Sequence, residues 1–171
     1  MRVYLGLGSN IERERNLCAG LDALQRLFGE LHCSPVFESA PVGIRSGPFF
    51  NLVVAVECAL PLAELDQRLK AIEAANGRYA EDRRGLPLDI DVLLYGEQVG
   101  EFDGLLLPRA EILRNAFVLW PLALLAPDVL HPQVQQPFAE LWAQARIDQQ
   151  LAPVAFAWQG RQLTPAALLA D

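Results

Sequence analysis

Two aspartates one residue apart, Asp89 and Asp91, are the side chains of this sequence whose spacing most clearly suggests chemistry. They open an apolar stretch that runs to Tyr95. Because side chains alternate between the faces of a strand, the two carboxylates should point the same way, with Cα atoms roughly 6.5–7 Å apart. Carboxylates this close repel unless a positive group lies between them, and Mg²⁺ prefers carboxylate and phosphate oxygens. The spacing predicts phosphoryl-type transfer; the alternative is a solvated strand edge.

The composition is that of one globular domain with a sizeable core. The chain has 171 residues, of which 52% are hydrophobic and 20% charged, and its net charge is −7. We therefore expect a single domain over residues 1–171. The acidic balance disfavours nucleic acid as a partner, because its binders usually carry a basic excess. A small anionic substrate remains compatible, since local arginines can override the global sign.

The cysteine, histidine and apolar patterns predict a cytoplasmic protein without a zinc site. Cys18, Cys33 and Cys58 are odd in number and lack metal-binding spacing, so we expect buried, reduced thiols. His32 and His131 are isolated. We expect no signal peptide before the first strand and no membrane partner, because no apolar run reaches about 18 residues.

Alternating strands and helices must position the two aspartates. The predicted elements are a strand at 3–7, a helix at 17–28, a strand at 33–39, a strand at 52–58, a helix at 62–72 and a strand at 89–95. Ser9 or Asn10 is the expected cap of the first helix, and Pro35 indicates an edge or bulge. This β-α-β-β-α-β order is the ferredoxin-like pattern, so the predicted class is α+β.

Later residues predict additions to this core. A hairpin or an additional strand is expected at 96–107, two short helices at 112–125 with Asn115 between them, an amphipathic helix at 138–147 and a small strand at 154–158. Two loops, 40–51 and 78–88, flank the expected cleft, and such loops often gate turnover.

Several segments, in order, agree with one enzyme family. They are Tyr4–Asn10, Pro41–Gly43 with Phe49–Asn51, Ile72–Glu73, Gly77–Arg78, Leu88–Asp91, Phe117–Leu122 and Ala126–Pro127. Over residues 1–135 the chain resembles the 6-hydroxymethyl-7,8-dihydropterin pyrophosphokinases of folate biosynthesis. The match is weaker over the extension 136–171. The resemblance implies a ferredoxin-like core that transfers the terminal diphosphate of ATP to a hydroxymethyl pterin and releases AMP.

The resemblance also implies roles for the acidic pair and its neighbours. Asp89 and Asp91 would bind two Mg²⁺ ions, while Arg78 and Arg84 would neutralise phosphate. Metals beside the transferred phosphorus neutralise developing charge and align the attacking hydroxyl.

On the acceptor side the family pattern is largely retained. Asn51 matches the residue that hydrogen-bonds the pterin amide edge, since its carboxamide both donates and accepts. Phe117 and Phe49 match the aromatic residues around the ring, although Phe50 is an alternative to Phe49. Ala40 and Val42 lie where the family supplies backbone contacts. Core packing is the alternative role for each phenylalanine.

On the nucleotide side the resemblance implies five residues and several departures. The implied residues are Lys70, Glu73, Val92, Arg109 and Arg114. Leu86 stands in place of an arginine that steadies phosphates, Arg109 in place of a histidine, Leu106 in place of a threonine and Asn115 in place of an arginine. Arg114 is one position away, a rotation of about 100° on a helix, so it should point elsewhere. A loop tryptophan of the family is also absent, with Arg83 nearest.

Two other functions fit these departures. The chain could be a non-catalytic paralogue that binds a pterin, or docks on another protein, with an eroded ATP site. It could also keep the chemistry with a different donor or acceptor. The enzyme is favoured, because metal ligands have little reason to persist without phosphate.

Overall fold

The structure is a computed structural model that describes residues 1–40, 47–81 and 84–170. The strands are β1 (Arg2–Ser9), β2 (His32–Cys33), β3 (Val36–Ser39), β4 (Phe49–Glu57), β5 (Asp89–Tyr95), β6 (Gly100–Phe102), β7 (Leu105–Leu107), β8 (Leu151–Val154), β9 (Ala157–Trp158) and β10 (Arg161–Gln162). The helices are α1 (Arg13–Phe28), α2 (Leu62–Ala75), α3 (Ala116–Leu125), α4 (Phe138–Gln144) and α5 (Ala166–Leu169), with a 3₁₀ turn at Ala110–Leu113.

The main sheet has the ferredoxin-like topology, so the predicted α+β class is confirmed. Its strand order is β5-β1-β4-β3-β8, with β2 also beside β4, and the pairs are antiparallel. β1 therefore lies between β4 and the edge strand β5. Its eight residues pair with β4 from Arg2 opposite Glu57 to Ser9 opposite Phe50.

Both faces of the sheet are apolar, but helices cover them unequally. On one face Leu5, Leu52 and Val92 pack against α1 and α2. On the other face Tyr4, Val53 and Leu93 pack against α3 and α4. The helices α3 and α4 leave uncovered the end of this second face where β5 begins. The acidic pair lies at that end.

Helix α1 begins differently from the sequence prediction. Its first residue follows Glu12, which has a left-handed backbone (φ 42°), and no side chain caps it. The expected caps serve elsewhere: Ser9 Oγ donates to the Ile11 carbonyl (3.0 Å), and Asn10 Oδ1 accepts the Leu86 N–H (2.6 Å). The cap prediction was wrong because Asn10 holds the loop that precedes β5.

Other boundaries shift for local reasons. The predicted strand 33–39 is divided into β2 and β3 around Pro35, which has no N–H for the ladder. The predicted strand 52–58 begins earlier, at Phe49, because pairing with β1 and β3 extends it. Asn115 separates the 3₁₀ turn from α3, as predicted.

The C-terminal extension joins the same sheet. The predicted strand 154–158 is instead two strands, and the first, β8, pairs along β3. The predicted helix 138–147 ends at Gln144. Trp158 is buried, and its indole N–H donates to Asp22 Oδ1 (2.9 Å) on α1. The extension is therefore tied to the core through both β3 and α1.

The cysteines are free thiols, but only Cys58 is fully buried; Cys18 and Cys33 are partly exposed. Burial raises the pKa of Cys33 to about 11, so its thiol stays protonated near neutral pH. Among the described residues, no helix is both long and apolar enough to cross a bilayer.

Candidate functional site

The uncovered end of the sheet presents a row of three residues from three neighbouring strands. Gly8 on β1 lies opposite Asn51 of β4 on one side and opposite Asp89 of β5 on the other. Two residues along, Gly6 lies opposite Asp91. Directly paired residues share a sheet face, so all five lie on the same face. A Cβ at Gly8 would stand only 2.9 Å from Asn51 Nδ2, so glycine keeps the middle of the row open.

A pocket of about 170 Å³ opens at one end of this row, and we call it the acceptor pocket. Its lining is Gly8, Ser39, Ala40, Phe49, Asn51, Leu86, Asp89 and Phe117. Four of the five predicted acceptor residues thus lie together, and the fifth, Val42, falls outside the described residues. Phe49 rather than Phe50 lines the pocket, because Phe50 faces the opposite side of the sheet, with the Arg13 guanidinium 3.8 Å from its ring centre.

Asn51 is held in a fixed orientation. It is buried, and its Oδ1 accepts a hydrogen bond from Ser39 Oγ at 2.7 Å. Its Nδ2 lies beside Gly8 in the acceptor pocket. A flat heterocycle with an acceptor edge could therefore pair with this amide between the rings of Phe49 and Phe117. Both phenylalanines line the same pocket.

The acidic pair forms the floor of an adjoining space of about 150 Å³, which we call the carboxylate pocket. It shares Gly8, Asn51, Asp89 and Phe117 with the acceptor pocket and adds Asp91 and Glu111 among others. Arg78 Nη1 donates to Asp89 Oδ1 at 2.7 Å. Asp89 is therefore partly neutralised by a cation on the side of α2.

Asp91 is less well compensated than its neighbour. Arg109 Nη2 lies 4.0 Å from Asp91 Oδ1, at the limit of an ion pair. Burial and, after it, the nearby Asp89 carboxylate together raise the pKa of Asp91 to about 7, although Arg109 opposes both effects. The pair thus carries more negative charge than the protein neutralises.

This donor set fits a hard divalent cation. Two carboxylates with excess negative charge offer oxygen ligands, which Mg²⁺ accepts together with phosphate and water oxygens. No cluster of three or more metal-binding side chains occurs in residues 1–40, 47–81 and 84–170. Most ligands of such an ion would therefore come from a bound phosphate chain and from water.

A second cationic side borders the carboxylates. Arg109 Nε donates to the Val92 carbonyl (3.1 Å), which places its guanidinium beside Asp91. Arg109 and Arg114 both line a pocket of about 330 Å³ with His131 and Leu106, which we call the arginine pocket. Arg114 was expected to point away, but it follows the 3₁₀ turn and precedes α3, so the rotation of a continuous helix does not apply.

Three predicted nucleotide residues line none of these three pockets. Lys70 lies on the outer side of α2 and pairs with Asp66 at 3.0 Å. The Val92 side chain is buried in the core beneath α1 and α2. Glu73 is buried and accepts hydrogen bonds from Ile90 N–H (2.8 Å), Tyr79 hydroxyl (2.8 Å) and Arg78 (3.1 Å). Glu73 therefore anchors the start of β5.

Arg84 is exposed, and within the part of the chain that the structure describes it makes no ion pair. Its predicted contact with phosphate stays a prediction.

Sequence reasoning did not place two residues, Leu86 and Glu111, in the lining of these pockets. Leu86 lines the acceptor pocket, and its N–H donates to Asn10 Oδ1. Glu111 adds a third carboxylate to the carboxylate pocket; its Oε2 is buried 3.8 Å from Arg109 Nε and accepts no hydrogen bond from the described residues. The only signals were Asn10 after a strand and the charge of Glu111 itself.

The comparisons with known proteins agree with one another. A family model described as 7,8-dihydro-6-hydroxymethylpterin-pyrophosphokinase (HPPK) matches residues 4–127. The 2-amino-4-hydroxy-6-hydroxymethyldihydropteridine pyrophosphokinase of Pseudomonas aeruginosa is 41% identical over 136 residues, which is 77% of this chain and 84% of that protein. Its namesake from Aquifex aeolicus is 32% identical over 141 residues, covering 81% and 88%.

Solved structures show the same fold. The HPPK-DHPS of Plasmodium falciparum with pteroate superimposes with a TM-score of 0.69 at 13% identity, covering 94% of this chain and 49% of the other. This chain therefore spans about half of that longer chain.

Proposed function

We propose that this chain, which belongs to the 7,8-dihydro-6-hydroxymethylpterin-pyrophosphokinase family, transfers the terminal diphosphate of ATP to 6-hydroxymethyl-7,8-dihydropterin. The hydroxymethyl oxygen forms the new bond to the β-phosphorus and releases its proton to water, the bond between the α–β bridging oxygen and that phosphorus breaks, and AMP leaves. The product is an intermediate of folate biosynthesis. The names of the relatives support this reaction.

One observation carries the proposal. The acidic pair lies between the acceptor pocket, which offers an amide and two aromatic rings, and a pocket lined by two arginines. A transfer between a flat heterocycle and a polyphosphate needs that order of environments, because charge accumulates between them in the transition state.

On the acceptor side, Asn51 would pair with the edge of the pterin while Phe49 and Phe117 hold its faces. Ser39 keeps the Asn51 carboxamide oriented. Leu86 would close the pocket from the loop side. Fixing the ring in this way directs its hydroxymethyl group toward Asp89, and such positioning accounts for much of the rate in reactions of this type.

On the donor side, Asp89 and Asp91 would hold two Mg²⁺ ions, which neutralise the charge of the phosphates. Arg109 lies nearest to Asp91 and is the best-placed side chain for a phosphate oxygen. Arg114 and Arg84 would add positive charge from the rim. Arg78 would act on the chemistry through Asp89, whose Oδ1 it binds.

The decisive test is AMP formation from ATP, Mg²⁺ and 6-hydroxymethyl-7,8-dihydropterin. AMP should appear only when the pterin is present and should disappear in Asp89→Ala and Asp91→Ala. Asp66→Ala is a matched control, because this aspartate lies on α2 and pairs with Lys70. EDTA should abolish turnover, and titration with Mg²⁺ should restore it.

The same experiment decides between the enzyme and the non-catalytic paralogue. Quenching of pterin fluorescence by the protein, without AMP, would contradict the enzyme and support a pterin-binding module. Absence of binding by either ligand would leave a docking role. The cytoplasmic location expected from the sequence stays a prediction.

A further inference from the structure

The segment after α4 connects the two walls of the acceptor pocket. Residues 145–150 lead from α4 to β8 and lie outside the residues 4–127 that the family model matches. β8 places Leu151 opposite Ser39, the residue whose hydroxyl orients Asn51. Immediately before β8, Gln149 contacts the first turn of α3, which carries Phe117. One short segment is thus bonded to both walls.

The side chain of Gln149 caps the N-terminus of α3, although the two are 33 positions apart in the sequence. Ala116 N–H donates to Gln149 Oε1 at 2.8 Å, and Gln149 Nε2 donates to Asn115 Oδ1 at 3.0 Å. Asn115 occupies the cap position, but its own side chain makes no capping bond. Because the first N–H groups of a helix have no partner within the helix, the amide of Gln149 fixes where this helix begins.

Phe117 follows directly on the capped residue and lines two cavities. One is the acceptor pocket, and the other is a cavity of about 210 Å³ that is also lined by Ser39, Ala40, Asp148, Gln149 and Gln150. Because open space borders the ring in both cavities, core packing alone does not fix its position. The hydrogen bonds at Ala116 and Asn115 therefore have a direct effect on where the ring stands.

We propose that Gln149 is a positioning residue for the acceptor: it holds the first turn of α3, and with it Phe117, at the separation from Asn51 that a flat heterocycle requires. This inference rests on the proposed function, since the heterocycle is the acceptor of that reaction. Gln149 acts through Phe117 and belongs to a part of the chain that the sequence alone left without a role.

The test compares Gln149→Leu with Gln149→Glu. Leucine keeps the bulk and loses both hydrogen bonds, so the Kd and KM for 6-hydroxymethyl-7,8-dihydropterin should rise about fivefold to tenfold, while the KM for ATP stays unchanged. Glutamate keeps the acceptor for Ala116 N–H, Asn115 can turn its amide to donate, and a negative charge is favoured at a helix start. Pterin affinity should therefore return to near that of the wild type in Gln149→Glu.

Two controls separate positioning from a general loss of structure. Gln144→Ala removes an exposed glutamine side chain of α4, which in the described residues is hydrogen-bonded only to Glu140, and should leave both affinities unchanged. Adding Phe117→Leu to Gln149→Leu should raise the pterin Kd by less than the product of the single effects, because both changes act through one ring.

Several results would overturn the inference. An unchanged pterin Kd in Gln149→Leu, an equal rise in the KM for ATP, or fully multiplicative effects with Phe117→Leu would each do so. A wild-type protein that neither binds the pterin nor forms AMP would reject the proposed function as well. A wild type that does both, with Gln149→Leu unaffected, would reject the role of Gln149 alone.

Discussion

Arg78 and Asp89 are joined by a hydrogen-bonded ion pair, with Nη1 2.7 Å from Oδ1. The same Nη1 also contacts Glu73 Oε2 and the Leu88 carbonyl. Glu73 in turn accepts the Ile90 N–H. One guanidinium therefore links the end of α2 to the start of β5, where the acidic pair lies, and it sets both the charge and the direction of Asp89.

Replacing Arg78 should affect stability and catalysis together. In Arg78→Met the buried Glu73 carboxylate loses its cation, so the free energy of unfolding should fall by about 1–3 kcal/mol. Asp89 should also lose its fixed direction, and kcat should fall more than tenfold. Urea denaturation and steady-state kinetics measure the two effects. Arg68→Met removes only an exposed pair with Glu64 at 3.5 Å and should change neither quantity; loss of kcat at unchanged stability in Arg78→Met would contradict the linked role.

Replacing Asp91 should stabilise the metal-free protein while abolishing activity. The pKa of Asp91 in the folded chain, about 7, lies above its ordinary value of 3.8. The folded state thus holds its proton more tightly, and stability is lost as pH rises from about 4 to about 7. The variant Asp91→Asn should not lose stability in this pH range, because its side-chain amide does not titrate. At pH 8 we expect a gain of about 1 kcal/mol, a small figure because the side chain is 42% exposed and water screens it.

Thermal or urea unfolding with EDTA measures this gain, and AMP formation measures the loss of activity. Equal stability of the wild type and Asp91→Asn at pH 8 would mean that neither burial nor the Asp89 carboxylate disfavours the charged form of Asp91. Adding Mg²⁺ should stabilise the wild type more than the variant, because only the wild type keeps both ligands.

A methyl group at Gly8 should damage acceptor binding selectively. Its Cβ would stand 2.9 Å from Asn51 Nδ2, so Gly8→Ala must displace the carboxamide or its partner Ser39. Pterin affinity measured by fluorescence quenching should fall more than tenfold. Gly6→Ala is the matched change on the same strand, since its Cβ would meet only flexible Leu93 atoms at 3.4 Å. Similar pterin affinities in the two variants would show that Asn51 does not need its present place.

Protonation of His131 should destabilise the protein in mild acid. The side chain is buried, and Nδ1 accepts N–H groups of Gln133 (3.1 Å) and Val134 (3.2 Å). Burial lowers the pKa of His131 below its ordinary 6.5. The unfolded state therefore takes the proton first, so stability is complete above pH 6.5 and is lost as pH falls below it.

The His131 prediction is checked by urea midpoints at pH 7.5 and 5.5. In His131→Asn the amide oxygen can accept the same N–H groups without titrating in this range, so the decrease between the two pH values should be smaller. His32→Asn changes an exposed histidine and should keep the wild-type decrease. An identical decrease in all three proteins would assign the acid sensitivity to other groups.

The sequence predicted the structural features that depend on local residue patterns. Alternation around Asp89 and Asp91 predicted both the strand and the shared direction of the carboxylates, because strand geometry has a period of two residues. Helical stripes predicted α1 and α2 in the same way. The order of these elements was enough to predict the ferredoxin-like sheet, since β-α-β crossovers are right-handed and successive elements usually lie side by side, which leaves few topologies.

These local patterns did not predict which residues pair with partners far away in the sequence. The choice between Phe49 and Phe50 depends on the register of β4 against β1, which no local period reveals. Asn10 followed a strand and looked like a cap, but its partner is Leu86, 76 positions away. The departures from the family pattern at Leu86 and Arg109 were visible in the sequence. Their positions, one at the acceptor pocket and one beside Asp91, required the folded chain.

The pairing of β8 with β3 limits where the protein can be truncated. A fragment ending at residue 127 would retain every segment that the family model matches and lose β8, baring the backbone N–H and C=O groups of Val36–Ser39. An edge strand with unpaired backbone groups pairs readily with strands of neighbouring molecules. In the intact chain β8 is the edge strand of the sheet. Its Pro153 has no N–H to donate to a further strand, which disfavours pairing with another molecule. Light scattering should show aggregation of the shortened chain, whereas the 171-residue chain should not aggregate.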